Sequence, residues 1–239
     1  ESFYNPTLLF SILAGVMWAT AVVSFVKSID LIGVSRSNQW KNLQGPVGVL
    51  LALIVLNEAS TINPALAMIS GFFIFASALA LNIRGKSNEE LNTKGLLLAT
   101  FSGLLFGSVS LINKIVTNSG GIFSQQIVWS ISILFFLVIY KVLLAKESIQ
   151  KIFNLPLREK IIGLSSGVLY FGASLFMLLA FKFLESSIAF NIIQLNFLIV
   201  LTLGIFYFKE IDFKKHAPRI ILGLILALVG IYLLSMSRF

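Results

Sequence analysis

The chain has 239 residues, 57% of them hydrophobic and 12% charged, with a mean hydropathy of +0.95, so its solvent is lipid and its fold class is that of an all-α polytopic membrane protein. It holds no Cys and one His, which excludes a disulfide frame, a thiolate metal centre and an imidazole cluster, and neither redox or metal chemistry nor a cofactor is expected. The excess of 18 Lys and Arg over 10 Asp and Glu belongs to cytoplasmic loops facing lipid head groups, not to nucleic acid.

Eight apolar segments long enough for a hydrocarbon layer of roughly 30 Å are predicted, at 7–28, 33–56, 64–83, 95–116, 122–144, 160–181, 186–208 and 217–236. The first carries Gly15 and Trp18 well inside it. The second opens on GVSRSNQWKNLQG (33–45), too polar for lipid contact, and the apolar run behind it is too short to span alone. After the third comes the polar stretch RGKSNEELNTK (84–94), and between the fifth and sixth comes KESIQKIFNLPLR (146–158). Gly103/Gly107 on the fourth segment and Gly163/Gly167 on the sixth have the small-xxx-small spacing that lets helices approach, with Gly172 further along the sixth. The fifth starts with Gln125 and Gln126 and holds Trp129, and the sixth holds Tyr170.

Residues 11–84 map without a gap onto 163–236 at a constant offset of 152: Gly15 falls on Gly167, Trp18 on Tyr170, Ser35 on Ser187, Glu58 on Glu210 and Gly71 on Gly223. The register of polar residues inside apolar surroundings is the informative part, since apolar matches between membrane segments are common and polar ones are not. Ser35, Gln39, Asn42 and Gln44 land on Ser187, Asn191, Gln194 and Asn196. The division that follows is 1–84 as the last three helices of a first repeat, 85–94 as linker, and 95–239 as a second repeat of five helices. Carried back by 152, the start at 95 falls about 57 positions before Glu1, so two helices are expected ahead of the chain shown, eight present of ten. An odd number of helices per copy inverts the second copy relative to the first, the plan of secondary transporters whose site lies near the midplane. Most basic residues, Lys27, Arg36, Arg84, Lys94, Lys146, Arg158, Lys209 and Arg219 among them, fall on one side, with Lys114, Lys182 and Arg238 on the other. By the positive-inside rule the richer side is cytoplasmic and both ends shown lie outside.

Ser35, Gln39 and Asn42 recur at helical spacing on one face, and Ser187, Asn191 and Gln194 do the same in the second copy. Two such faces of opposite orientation make a neutral hydrogen-bonding pocket suited to an uncharged polar solute; the same amides also serve as interhelical glue in many bundles. Lys41 either meets an anionic substrate or snorkels toward the head groups. Trp18 and Tyr170, repeat mates, offer ring faces for stacking on a sugar or base. No Asp or Glu falls mid-segment; Asp30, Glu58, Glu185 and Glu210 come closest, leaving proton coupling, sodium coupling and facilitated transport open. Glu58 and Glu210 occupy matched helix ends, where the main reading is closure of a helix–loop junction.

WAxxxxxxxKSIDLIGVSR (18–36), followed by Leu43-Gln44 and a helix ending at Glu58, together with FKE (208–210) before a last Gly-rich helix, resembles the glucose/ribose porter branch of the drug/metabolite transporter superfamily, with its EamA-like inverted repeat. The resemblance implies ten helices in two inverted halves and carrier transport of a small metabolite across the cytoplasmic membrane, a monosaccharide first. SNQWKN (37–42) departs from that branch, which usually has Pro and small hydroxyl residues there. The alternatives are an exporter of amino acids or other metabolites and a carrier of an anionic solute. No catalytic constellation is present; His216 stands alone in a charged stretch. The substrate-binding candidates are Trp18, Ser35, Gln39, Lys41, Asn42, Tyr170, Ser187, Asn191 and Gln194.

Overall fold

The computed structural model describes residues 5–81, 92–144, 154–195, 198–199, 202, 206 and 213–238, and among them all regular structure is helical, without strands. In chain order the helices are α1 (Leu8–Lys41), α2 (Gln44–Val55), α3 (Pro64–Leu81), α4 (Thr93–Ser119), α5 (Ile122–Ile139), α6 (Leu157–Phe183), α7 (Ser186–Gln194) and α8 (Phe213–Met236). A 3-10 turn at Glu58–Ser60 follows α2, and a π-turn at Tyr140–Leu144 ends α5. Six stretches among the described residues are long and apolar enough to cross a membrane: Leu8–Val34, Pro64–Leu81, Thr93–Ser119, Ile122–Leu143, Leu157–Phe183 and His216–Met236.

The two expected segments absent from that set are the polar ones. The segment at 33–56 divides into the tail of α1 and the 12-residue α2, about 18 Å long at 1.5 Å per residue and short of the hydrocarbon thickness. The segment at 186–208 begins as the nine-residue α7, and most of its remainder lies outside the described residues, as do Glu210 and most of the linker.

Each break has a local cause. Gly33 inside α1 has φ 79 and ψ 161, a region that only glycine occupies without strain. At the offset of 152 its counterpart is Glu185, where the chain also leaves the helix, with φ −57 and ψ 141, between α6 and α7. Pro46 has no N–H for a helical bond, and the chain tightens ahead of it: Leu43 N–H bonds Trp40 O at 3.2 Å and Gly45 N–H bonds Asn42 O at 3.1 Å. Leu195, counterpart of Leu43, makes the same 3-10 closure onto Ile192 O at 3.0 Å.

The chain forms two compact units, one from the residues up to Ala19 with Ile112–Phe183, the other from Thr20–Leu111 with the residues from Leu184 onward. Each unit therefore draws on both sequence halves. In the first, the start of α1 lies directly on α5. Ser132 Oγ donates to Ile12 O at 2.8 Å, and a Cβ on Gly15 would stand 2.6 Å from Ser132 Cβ and 2.9 Å from Trp129 O. In the second, α3 and α8 run antiparallel: Ser77 Oγ donates to Gly223 O at 2.6 Å, and Asn63 N–H donates to Ser237 O at 2.7 Å. Small residues permit that approach, since a Cβ on Gly230 would stand 2.8 Å from Ile74 Cγ1. Val49, Leu53, Ile62, Ala67, Ile188 and Leu234 form the apolar core of this unit.

Gly103 and Gly107 make the close contact their spacing predicts, bringing α4 onto the break in the polar segment. A Cβ would lie 2.8 Å from Lys41 O in one case and 3.0 Å from Gln44 O in the other. Gly163, Gly167 and Gly172 do not: among the described residues nothing stands within 4 Å of where their Cβ would be. Residues 154–171 are exposed along α6, and on so apolar a helix that is a lipid-facing surface.

Candidate functional site

The sequence candidates fall into two clusters, one in each unit. In the second unit the cluster is built on α7, and Glu58 fixes where α7 starts. Buried to 6% exposure, its carboxylate accepts from Ser186 N–H at 2.5 Å, Ser187 N–H at 3.0 Å and Ser187 Oγ at 2.6 Å. An anion at a helix N-terminus satisfies orphan amides and meets the positive end of the helix dipole. The Ser187 hydroxyl is thereby engaged in the cap, while Asn191 and Gln194 follow one and two turns along.

α2 runs antiparallel to α7, with Gln44 Nε2 donating to Gln194 Oε1 at 3.1 Å and a Cβ on Gly48 falling 2.7 Å from the Phe190 ring. The Gln44 bond leaves Gln194 Nε2 buried without a partner. Asn191 is fully buried, and neither Oδ1 nor Nδ2 of its amide has a partner. Unpaired buried amide groups cost about 1–3 kcal/mol each, so an amide kept only as interhelical glue would be bonded. Asn42, Pro46, Gly71, Ile74, Phe75 and Gln194 line a cleft beside them. Gly71 leaves room next to the amide: a Cβ there would sit 3.5 Å from Asn191 Oδ1. The free space in the cleft is that of roughly one water molecule, so a larger solute enters only if it opens.

Lys41 closes α1 nearby, with Nζ 5.0 Å from the ring centre of Phe25 and 5.9 Å from that of Phe106, a cation–π seat for the ammonium. Ser35 and Gln39 fall within α1, and their side chains lie outside the described residues.

The cluster of the first unit is aromatic. Trp18 of α1, Trp129 of α5 and Tyr170 of α6 meet with ring centres 5.0 Å apart for Trp18–Tyr170 and 6.5 Å for each of the other two pairs, within the range of favourable tilted contacts. Trp129 is 1% exposed, whereas Tyr170 is 38% exposed and presents ring surface. Gln125 and Gln126 are buried on α5. Lys114 is buried as well, its ammonium donating to Phe181 O in the last turn of α6, the negative end of that helix.

Of the residues expected from the sequence, Asn42, Asn191 and Gln194 come together in the second unit, and Trp18 and Tyr170 in the first. Gln44 was legible as a repeat position, paired with Asn196, and as part of the Leu43-Gln44 pair in the family resemblance. Its bond to Gln194 is a tertiary fact, as is the third ring supplied by Trp129.

Residues 2–237 match the sugar transport protein family. The chain belongs to this family. It is similar to the probable glucose uptake protein GlcU of Priestia megaterium, with 24% identity over 249 aligned positions that cover 99% of this chain and 83% of that protein. Family membership and the six apolar helices make this a multi-pass integral membrane sugar transporter and not an enzyme.

Proposed function

We propose that the protein is a carrier moving a monosaccharide, glucose first, across the cytoplasmic membrane by alternating access, built as two inverted five-helix halves on the drug/metabolite transporter plan. The carrying observation is the set of buried, unpartnered amide atoms on Asn191 and Gln194 beside the cleft that Asn42 lines. These groups are uncharged, and together they donate and accept, which matches the hydroxyls of a neutral sugar better than an ion. The closed cleft favours a cycle in which the site opens to one side at a time.

The inverted plan is supported inside the second unit. α3 and α8 occupy corresponding positions of the sequence repeat and pack antiparallel, as copies of opposite orientation would. The matched breaks at Gly33 and Glu185 and at Leu43 and Leu195 give each half a discontinuous helix, the element that forms sites in inverted-repeat transporters. Substrate contact is assigned to Asn42, Asn191 and Gln194 of the second unit; Trp18 and Tyr170 of the first keep the stacking role given by their place in the repeat. Ser187 is assigned to the α7 cap and Lys41 to its aromatic seat; Ser35 and Gln39 remain assigned by their place in the repeat.

The test is counterflow of labelled glucose and ribose in proteoliposomes holding the full-length protein, with sugars, amino acids and sugar phosphates as competitors. Saturable exchange blocked by neutral sugars and weakened by Gln194→Ala supports the proposal. Exchange of amino acids instead moves the protein to the exporter reading, and exchange of an anion lost in Lys41→Ala moves it to an anion carrier. Repeating the assay with imposed pH or sodium gradients distinguishes coupled from facilitated transport.

A further inference from the structure

Two adjacent amides on α5 differ in how far they are bonded. Gln125 is engaged at both ends: Oε1 accepts from Thr117 Oγ1 at 2.8 Å, and Nε2 reaches Asn113 O at 3.1 Å and Asn113 Oδ1 at 3.3 Å. It ties α5 to α4 and needs no ligand to explain it. Gln126 is engaged at one end only. Its Nε2 donates to Ser174 Oγ at 2.7 Å and reaches Ser130 Oγ at 3.3 Å, while the Ser174 hydroxyl donates to Phe171 O at 2.9 Å. In this arrangement Oε1 is buried without a partner. One turn along, the indole N–H of Trp129 is also buried without a partner.

A lone acceptor and a lone donor three residues apart share one helix face. An indole N–H can only donate and the Gln126 oxygen can only accept. The group that satisfies both at once donates and accepts from one atom, as a hydroxyl does. The same indole belongs to the cluster with Trp18 and Tyr170, whose faces suit the C–H side of a sugar ring while its hydroxyls point to the edge. We infer that Gln126 and Trp129 are a hydroxyl-reading pair that contacts the sugar and selects which stereoisomer is carried. The inference rests on the sugar-carrier reading and adds residues that it does not need.

Competition of labelled-glucose counterflow by the series of monodeoxyglucoses, in proteoliposomes of the full-length protein, tests it with wild type, Trp129→Phe and Gln126→Met. In wild type one analogue, lacking the hydroxyl that the pair reads, competes about tenfold more weakly than glucose. In each variant the gap between that analogue and glucose narrows, because one of the pair's two bonds to the missing hydroxyl is gone. The two substitutions are independent probes, so Gln126→Met decides alone if Trp129→Phe is not recovered folded. Unchanged deoxy profiles in a variant that still exchanges glucose would overturn the inference and leave the pair to a structural water. Absence of any sugar exchange by wild type is a different result: it removes the sugar reading, and the inference with it.

Discussion

Glu58→Ala is the perturbation whose size the structure fixes best. The side chain is 6% exposed and accepts three hydrogen bonds, two from backbone N–H groups at the start of α7 and one from the Ser187 hydroxyl. Removing it strands two buried N–H groups, each costing about 1–3 kcal/mol, and removes an anion from a helix N-terminus, worth up to about 2 kcal/mol when partly buried. The hydroxyl can turn to another acceptor and adds little. An expected loss of about 3–5 kcal/mol is a large share of a stability of about 5–15 kcal/mol. At about 2–4 °C per kcal/mol for a chain of this size, Tm falls by on the order of 10 °C. Ser187→Ala removes one bond of the three and costs about 1 kcal/mol. The double variant should be no less stable than Glu58→Ala alone, since the two residues share one interaction. Thermal unfolding of the detergent-purified protein, followed by fluorescence-detected size exclusion, measures all three. A Glu58→Ala protein melting within 2 °C of wild type, or additive losses in the double variant, would refute the capping argument.

Asn191→Leu, which keeps the shape of the side chain and removes two unpartnered polar atoms, should raise Tm by several degrees while abolishing glucose counterflow; lowered stability would mean that the amide is bonded structural glue. Gly223→Ala would put a Cβ 2.3 Å from Leu81 Cγ and should cost about 1–3 kcal/mol by overpacking, whereas Gly163→Ala and Gly167→Ala meet nothing within 4 Å and should leave Tm unchanged. Gly33→Ala also meets nothing within 4 Å, yet at φ 79 it should cost about 1–3 kcal/mol of backbone strain; thermal unfolding distinguishes this from a packing effect, because Gly33→Ser should cost the same. Lys41→Met keeps an apolar stem between the Phe25 and Phe106 rings and should leave the KM for glucose within twofold in counterflow, where a loss of tenfold or more would return Lys41 to the substrate.

Membrane class was legible in the sequence, because composition alone excludes water as the solvent and polar residues inside apolar segments mark positions that lipid would not tolerate. The Gly103/Gly107 contact was readable from spacing, whereas Glu58 was legible only as a residue closing its own helix–loop junction, and its capping of α7 was not. The glycines of α6 show the limit of that reasoning: Gly163 and Gly167 have the same spacing as Gly103 and Gly107, but a spacing says only that a backbone can approach, and among the described residues nothing stands within 4 Å of where their Cβ would be. The polar segment at 33–56 was visible as unusual, yet length could not say that it breaks at Gly33 and again before Pro46.

The sequence by itself determined that the chain is a helical membrane protein with uncharged polar groups inside apolar segments, because hydrophobicity and helical period are local properties. Tertiary structure decided which of those groups are already bonded. Ser187 and Asn191 lie four residues apart on one face of α7, and only the approach of Glu58 from the end of α2 engages the first and leaves the second unpaired. Gln125 and Gln126 are neighbours with the same side chain, separated by what α4 and α6 bring to each. Hydrogen-bond satisfaction depends on partners distant in sequence, so the bonds between helices are what set a candidate ligand site apart from a packed amide.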